Sequence, residues 1–189
     1  MSKRIALLSA VAFSALALTA TIVAPVSAQD KMTSGEKTVM VGGAAMFPSK
    51  NIIQNAVNSK DHTTLVAAVK AAGLVDTLEG KGPFTVFAPT NAAFAKLPAG
   101  TVDTLVKPEN KATLTKILTY HVVAGKLEAS DLTDGKKLKT VQGEELTVKR
   151  SGDTVMIIDS KGGSSTVTIP NVNQSNGVIH VVDTVLMPS

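Results

Sequence analysis

The sequence predicts an α+β domain, and two observations carry the prediction. Apolar residues recur at helical spacing through the first half of the mature chain. From Lys137 onward, five β-rich stretches follow one another, separated by glycine-containing turns. Those late connections are too short for crossover helices, so the strands they join cannot all be parallel.

Taken in order, the helical half begins at Asn51, where Ile52, Ile53, Ala56 and Val57 fall on one face of a short helix. Asp61 is placed to cap a second helix, whose buried face is Leu65, Val66, Val69 and Ala72 and whose left-handed stop is Gly73. Leu74, Val75 and Leu78 predict a further turn. Gly80-Lys81-Gly82-Pro83 reads as a turn, and Phe84 to Ala88 has the β-branched and aromatic content of a buried strand, ended by Pro89. Thr90 or Asn91 can cap a short helix from Ala92 through Leu97, stopped by Pro98 and Gly100. Pro108 and Glu109 suit the first turn of the next helix, because a missing amide proton and a negative charge are both tolerated there. Its inward face is Leu114, Ile117, Leu118 and His121, and it passes near Tyr120 into extended Val122-Val123. The strands expected after it are Leu138 to Val141, Leu146 to Lys149, Thr154 to Ile158, Thr166 to Ile169 and Val178 to Leu186. Ser151-Gly152-Asp153 forms a tight hairpin turn between the second and third of these.

Ahead of the domain, residues 1–28 have the three parts of a secretory signal peptide: basic Lys3 and Arg4, an apolar run from Ile5 to Val23, and small residues at Val26-Ser27-Ala28. The run is long enough to span a bilayer, but its Ala, Ser and Thr content and Pro25 favour cleavage, placed between Ala28 and Gln29. Residues 29–50 are polar, then rich in Gly and Ala, and read as a flexible arm; residues 51–189 are the domain. The expected location is periplasmic or secreted. No cysteine is present to form a disulfide or take a lipid, so no membrane anchor is expected after cleavage.

Composition narrows the partners. Removing Lys3 and Arg4 from 19 basic residues leaves 17 against 15 acidic ones, so the mature chain is close to neutral. With Arg150 the one arginine after the leader, no Trp and one Tyr, nucleic acid is a poor candidate partner. A monomer is expected.

Three stretches carry a family resemblance. TVFAPTNAAF (Thr85 to Phe94), ILTYHVV (Ile117 to Val123) and NGVIHVVDTVLMP (Asn176 to Pro188) resemble, in order and separation, the signature blocks of fasciclin-like (FAS1) domains. The resemblance covers roughly Asn51 to Pro188. It implies a wedge-shaped β-sandwich flanked by short helices, used in extracellular adhesion without a reaction. It also makes Tyr120 and His121 the first candidates for contact with a cell receptor. Physical chemistry supplies a competing reading, in which the His121 ring turns inward and bonds a backbone group. In the outer blocks, Thr90, Asn91, Asn176, His180 and Asp183 read as residues that order the fold. Asn91 and Asp183 are expected to bond across the junction of the blocks, and Asn176-Gly177 to make a turn at positive φ.

Catalytic chemistry finds no foothold in the sequence. G-x-S-x-G is absent, and Gly162-Gly163 is followed by serines with no Lys-Ser/Thr pair. Glu144-Glu145 are neighbours on opposite faces of a strand and cannot flank one bond. Asp131 and Asp134 lack the calcium-loop pattern, and His62, His121 and His180 are spaced for no metal site, so neither metal nor cofactor is expected. Lys136, Lys137 and Lys139 form a basic cluster with two readings: an edge strand blunted by lysine, or a contact for an anionic polysaccharide. The function expected is adhesion to a cell-surface or matrix protein or glycan. The rival is a small-molecule-binding protein or enzyme using a groove between helices and sheet.

Overall fold

The structure is a computed structural model, and it describes residues 37–189. The signal peptide and its cleavage point lie outside the described residues. β1 (Val39–Val41) and β2 (Ala44–Met46) pair as an antiparallel hairpin. Within the described residues this hairpin stands where a flexible arm is expected, while residues 29–36 of that stretch lie outside them. Val41 and Met46 are buried in the main core, and Lys60 N donates to the Gly42 carbonyl at 3.2 Å. Gly42-Gly43 is the hairpin turn, with φ of 58° and 75°.

Six short helices follow in two groups. α1 (Ile52–Ala56) starts with a capping box between Asn51 and Gln54, α2 spans Thr63–Ala72 and α3 spans Val75–Glu79. Gly73 ends α2 at φ 72°, as expected of a left-handed stop. Asp61 does not cap α2: Lys60–His62 form a 3-10 turn running straight into the helix, leaving Asp61 exposed. The acceptor at the start of α2 comes from far along the chain, Asn91 Oδ1 taking the Thr64 amide at 3.0 Å.

After β3 (Phe84–Pro89), Thr90 caps α4 (Asn91–Ala95) by accepting from Ala93 N at 3.2 Å. α5 (Thr101–Leu105) is a helix the apolar pattern did not signal, because none of its side chains is buried. A 3-10 turn at Pro108–Asn110 leads into α6 (Lys111–Tyr120), whose Leu114, Ile117 and Leu118 are buried as the period predicts.

The sheet has seven strands: β4 (Val122–Ala124), β3, β9 (Gly177–Val182), β8 (Ser164–Gln174), β7 (Thr154–Ile158), β6 (Glu145–Ser151) and β5 (Lys137–Lys139), in that spatial order. All pairs are antiparallel except β3 with β9. The two ends of the order come together where Val123 bridges Thr140 and Val141 N donates to the Val122 carbonyl at 2.8 Å, so the sheet curls towards a barrel. β8 is much longer than the Thr166–Ile169 stretch predicted. Its first residues pair with β7 and the rest with β9, across bulges between Val167 and Val172 and a positive φ of 57° at Asn171.

Two apolar clusters hold the fold. Helix residues such as Leu65, Val69, Leu114 and Leu118 pack on Val86, Ala88, Ile179 and Val181 of β3 and β9. The second cluster joins Phe87, Tyr120 and Val182 to Leu138, Leu146, Val148 and Ile157 from the other strands. Alternate residues of β3 therefore serve different clusters, which is why its sequence is apolar without a break.

Candidate recognition surface

The three signature blocks meet through β3, β4 and β9, and the side chains of Tyr120, His121, His180 and Asn176 are spent on bonds inside the fold. Tyr120 is fully buried, and its hydroxyl oxygen accepts from Ser160 N at 2.8 Å. His121 is 2 % exposed; Nδ1 donates to the Ile117 carbonyl at 2.8 Å and Nε2 accepts from Leu186 N at 3.0 Å. That pattern uses both nitrogens of a neutral ring. Burial pushes the His121 pKa down to about 4, with the Ile117 carbonyl and Asp159 opposing. As candidates for direct receptor contact, Tyr120 and His121 present no side-chain surface.

His180 plays the same part on β9. Nε2 donates to the Leu127 carbonyl at 2.8 Å, Nδ1 accepts from Asn171 N at 3.4 Å, and the ring stacks on Phe87 with centroids 5.7 Å apart. Burial lowers its pKa, against the Leu127 carbonyl and Glu128. Thr85 fixes the same loop, donating to the Gly125 carbonyl at 2.6 Å and accepting from Leu127 N at 2.8 Å.

Asn176 is the most heavily used brace. Its amide donates to the Leu78 and Gly80 carbonyls at 2.6 and 2.9 Å, and its Oδ1 accepts from Ile52 N at 3.1 Å. One side chain thereby ties α1 and α3 to the start of β9. The expectation of positive φ at Asn176-Gly177 is corrected: neither residue has one. Gly177 is needed because a Cβ there would fall on the Phe84 carbonyl in the parallel pairing of β3 and β9.

Asn91 and Asp183 do not bond to each other, contrary to expectation. Asn91 turns to the start of α2, donating to the Lys60 carbonyl at 2.8 Å, while Asp183 turns to β8, accepting from Thr166 N at 2.8 Å. Across the junction the link is made by backbone, Thr90 N to the Val182 carbonyl at 3.3 Å. Burial raises the Asp183 pKa, but the Thr166 amide, the Thr184 hydroxyl and Lys96 at 3.4 Å together bring it below the usual carboxylate range.

The lysine cluster lies outside. β5 points Leu138 inward and leaves Lys137 and Lys139 exposed on either side of it. Lys137 pairs with Glu145 of β6 at 3.4 Å, and Lys136, half-buried, donates to the Asp131 carbonyl at 2.7 Å.

A polar clasp at the C-terminal end went unrecognised in the sequence. Glu144 Oε2 accepts from Ser160 Oγ at 2.9 Å and Ser189 N at 3.0 Å, and Lys116 Nζ donates to the Ser189 carbonyl at 2.6 Å. The Ser189 amide is the main cause that holds the Glu144 pKa at about 2. Its neighbour Glu145 faces Lys137, so the two carboxylates do diverge. No signal short of the β6 register places residue 144 beside residue 189. Among the described residues no three His, Cys, Asp or Glu side chains form a metal-holding group, and no helix is long and apolar enough to cross a membrane.

A curled mixed sheet, helices packed against β3 and β9, and signature residues such as Tyr120, His121, His180 and Asn176 turned inward define a braced α+β fold. The Fasciclin domain family model matches residues 60–188, and the chain belongs to that family. Protein sll1483 of Synechocystis is 48% identical over 164 residues, 87% of this chain and 88% of that protein. Immunogenic protein MPB70 of Mycobacterium bovis is 37% identical over 184 residues, 95% of this chain and 89% of its own. Cell surface glycolipoprotein MPB83 of the same species is 41% identical over 153 residues, and the match spans 78% of this chain and 64% of that one. Among solved structures, the FAS1 domain pair of the insect cell adhesion molecule fasciclin I superposes with a TM-score of 0.66 at 20% identity. That match covers 75% of this chain and 52% of the other, and it shows a shared fold.

Proposed function

We propose that this chain is an exported, non-enzymatic adhesion module that binds a cell-surface or extracellular-matrix protein or glycan through its exterior, working as a monomer in the periplasm or outside the cell. The observation that carries the reading is the inward use of the signature side chains. Tyr120, His121, His180 and Asn176 are bonded inside the fold, so recognition falls to exposed residues. The leader-like first 28 residues support export, and the relatives described as a cell surface glycolipoprotein and a cell adhesion molecule support a surface role. Of the sequence candidates, the β5 edge offers the contact: Lys137 and Lys139 flank buried Leu138 and present positive charge to solvent.

The test is binding of the purified chain to intact cells and to an immobilised anionic polysaccharide, at low and high salt. Lys137→Glu with Lys139→Glu should weaken binding and flatten its salt dependence, since each lysine contributes mainly screened charge. Tyr120→Phe should leave binding unchanged. No binding to any surface, or a loss confined to Tyr120→Phe, would overturn the proposal.

A further inference from the structure

Asn176 is the one asparagine of the chain that is followed by glycine. Asparagine loses ammonia most readily before glycine, because a residue without a Cβ leaves its amide nitrogen free to reach the preceding side chain. The attacking atom would be Gly177 N and the target Asn176 Cγ, and the fold holds both in place. Asn176 is 8 % exposed. Its carboxamide is fastened at three points, to the Leu78 and Gly80 carbonyls at 2.6 and 2.9 Å and to the Ile52 amide at 3.1 Å. On the backbone side, the Asn176 carbonyl accepts from Phe84 N at 3.0 Å, and Gly177 opens β9 in register with both Phe84 of β3 and Gln174 of β8. Ring closure has to turn the side chain and the peptide together, so these bonds must break first.

We infer that Asn176 is a deamidation site shielded by the native fold, so that a chain held open loses this brace in a one-way chemical step. Gly177 N gives its proton to hydroxide and bonds to Asn176 Cγ; the Cγ–Nδ2 bond breaks, and the departing nitrogen takes a proton from water and leaves as ammonia. Water then opens the succinimide ring. Cleavage at Cγ leaves an aspartate, and cleavage at the main-chain carbonyl leaves an isoaspartate. Overall one water enters and one ammonia leaves, with no oxidation. Neither product restores the brace. An aspartate carboxylate has no proton to give at neutral pH, so the Leu78 and Gly80 carbonyls would meet a buried negative charge in place of two donors. Isoaspartate adds a methylene to the main chain just before Gly177, where the Phe84 backbone leaves no room even for a Cβ. The fold therefore demands a reactive pair, asparagine for its three bonds and glycine for its close approach, and keeps it unreactive by the same contacts. The inference does not rest on the adhesion proposal.

The experiment incubates the purified chain at mildly alkaline pH in guanidinium chloride, from none to well past the unfolding midpoint. Tryptic peptide 162–189 contains the pair, so its fragmentation in a mass spectrometer locates the gain in mass, and an isoaspartyl methyltransferase detects the isoaspartate. Residue 176 should stay unmodified in native buffer over the time that converts the open chain fully. Across the transition the rate should follow the unfolded fraction read by circular dichroism. Tyr120→Phe, which loses the bond from Ser160 N, should carry both curves to lower denaturant together. After dilution, modified chains should stay unfolded while unmodified ones recover, and Asn176→Asp made directly should melt no higher than Asn176→Ala. Equal rates in native and open chains, a rate that ignores the unfolding curve, an equally fast change at Asn171 or Asn173, or recovery of the modified chains would overturn the inference.

Discussion

Mild acid should destabilise this domain before most carboxylates titrate, and His121 sets the size of the effect. Its neutral ring donates to the Ile117 carbonyl and accepts from the Leu186 amide, so a second proton would arrive on Nε2 facing an N–H. The folded pKa is about 4, against 6.5 for the free side chain. Because the folded value is the lower one, the unfolded chain binds more protons between those limits. Stability is therefore full above pH 6.5, falls as pH drops through the window, and levels off below about 4. At 1.36 kcal/mol per pH unit, that gap corresponds to roughly 3 kcal/mol from one residue. His62 and His180 are lowered by burial too, and their losses add with the same sign. Against a typical total of about 5–15 kcal/mol, the sum is large enough to bring unfolding into mild acid. Urea denaturation followed by far-UV circular dichroism between about pH 7.5 and 4.5 measures the slope, and NMR titration of the His121 ring gives its pKa directly. A midpoint that stays flat across that range, or a His121 ring titrating near its free value, would refute the reasoning.

Other perturbations separate the braces from the surface. Tyr120→Phe keeps the ring in the core and removes the acceptor for Ser160 N, so urea denaturation should show a loss of about 1 kcal/mol and hydrogen exchange should quicken around residue 160. Tyr120→Ala should cost about 3–5 kcal/mol and much of the soluble yield, as the side chain is fully buried. Asn176→Ala strands the Ile52 amide and the Leu78 and Gly80 carbonyls in the interior, and thermal melts should report a loss of about 3 kcal/mol. Gly177→Ala should be the most damaging change of one methyl group, because the new Cβ meets backbone that the β3–β9 pairing holds in place. Failure to recover folded protein is the expected result.

What the sequence made legible follows from locality. α2, α6 and β7 could be read because their apolar spacing reports which face is buried, β3 because an unbroken β-branched and aromatic run is bounded by prolines, and Gly73 because a left-handed stop is chosen by its own residue. α5 escapes the same reading, since only Val102 and Leu105 pack, partly buried, against the core, too few positions to show a period. The hairpin at Val39–Met46 leaves no mark in the sequence because three-residue strands carry too few positions to show alternation. The polar site failed at longer range. Asn91 to Thr64, Asn176 to Leu78 and Glu144 to Ser189 join residues 27 to 98 positions apart, and no rule of spacing pairs them.

Those long-range bonds share a feature that bears on function. In each, a side chain satisfies backbone groups that secondary structure leaves open: an amide in the first turn of α2, carbonyls at the end of α3, the amide of the last residue. Short helices have a high proportion of such groups, because the first four N–H and last four C=O of any helix lack partners within it. A fold built from four five-residue helices, α1, α3, α4 and α5, around a curled sheet must recruit polar residues from elsewhere to close many of their open ends. The signature blocks thus mark the places where backbone has to be satisfied at a distance. Exposed positions such as Lys139 carry no such duty. The exterior is therefore free of bracing duty and open to contacts such as the one proposed for β5.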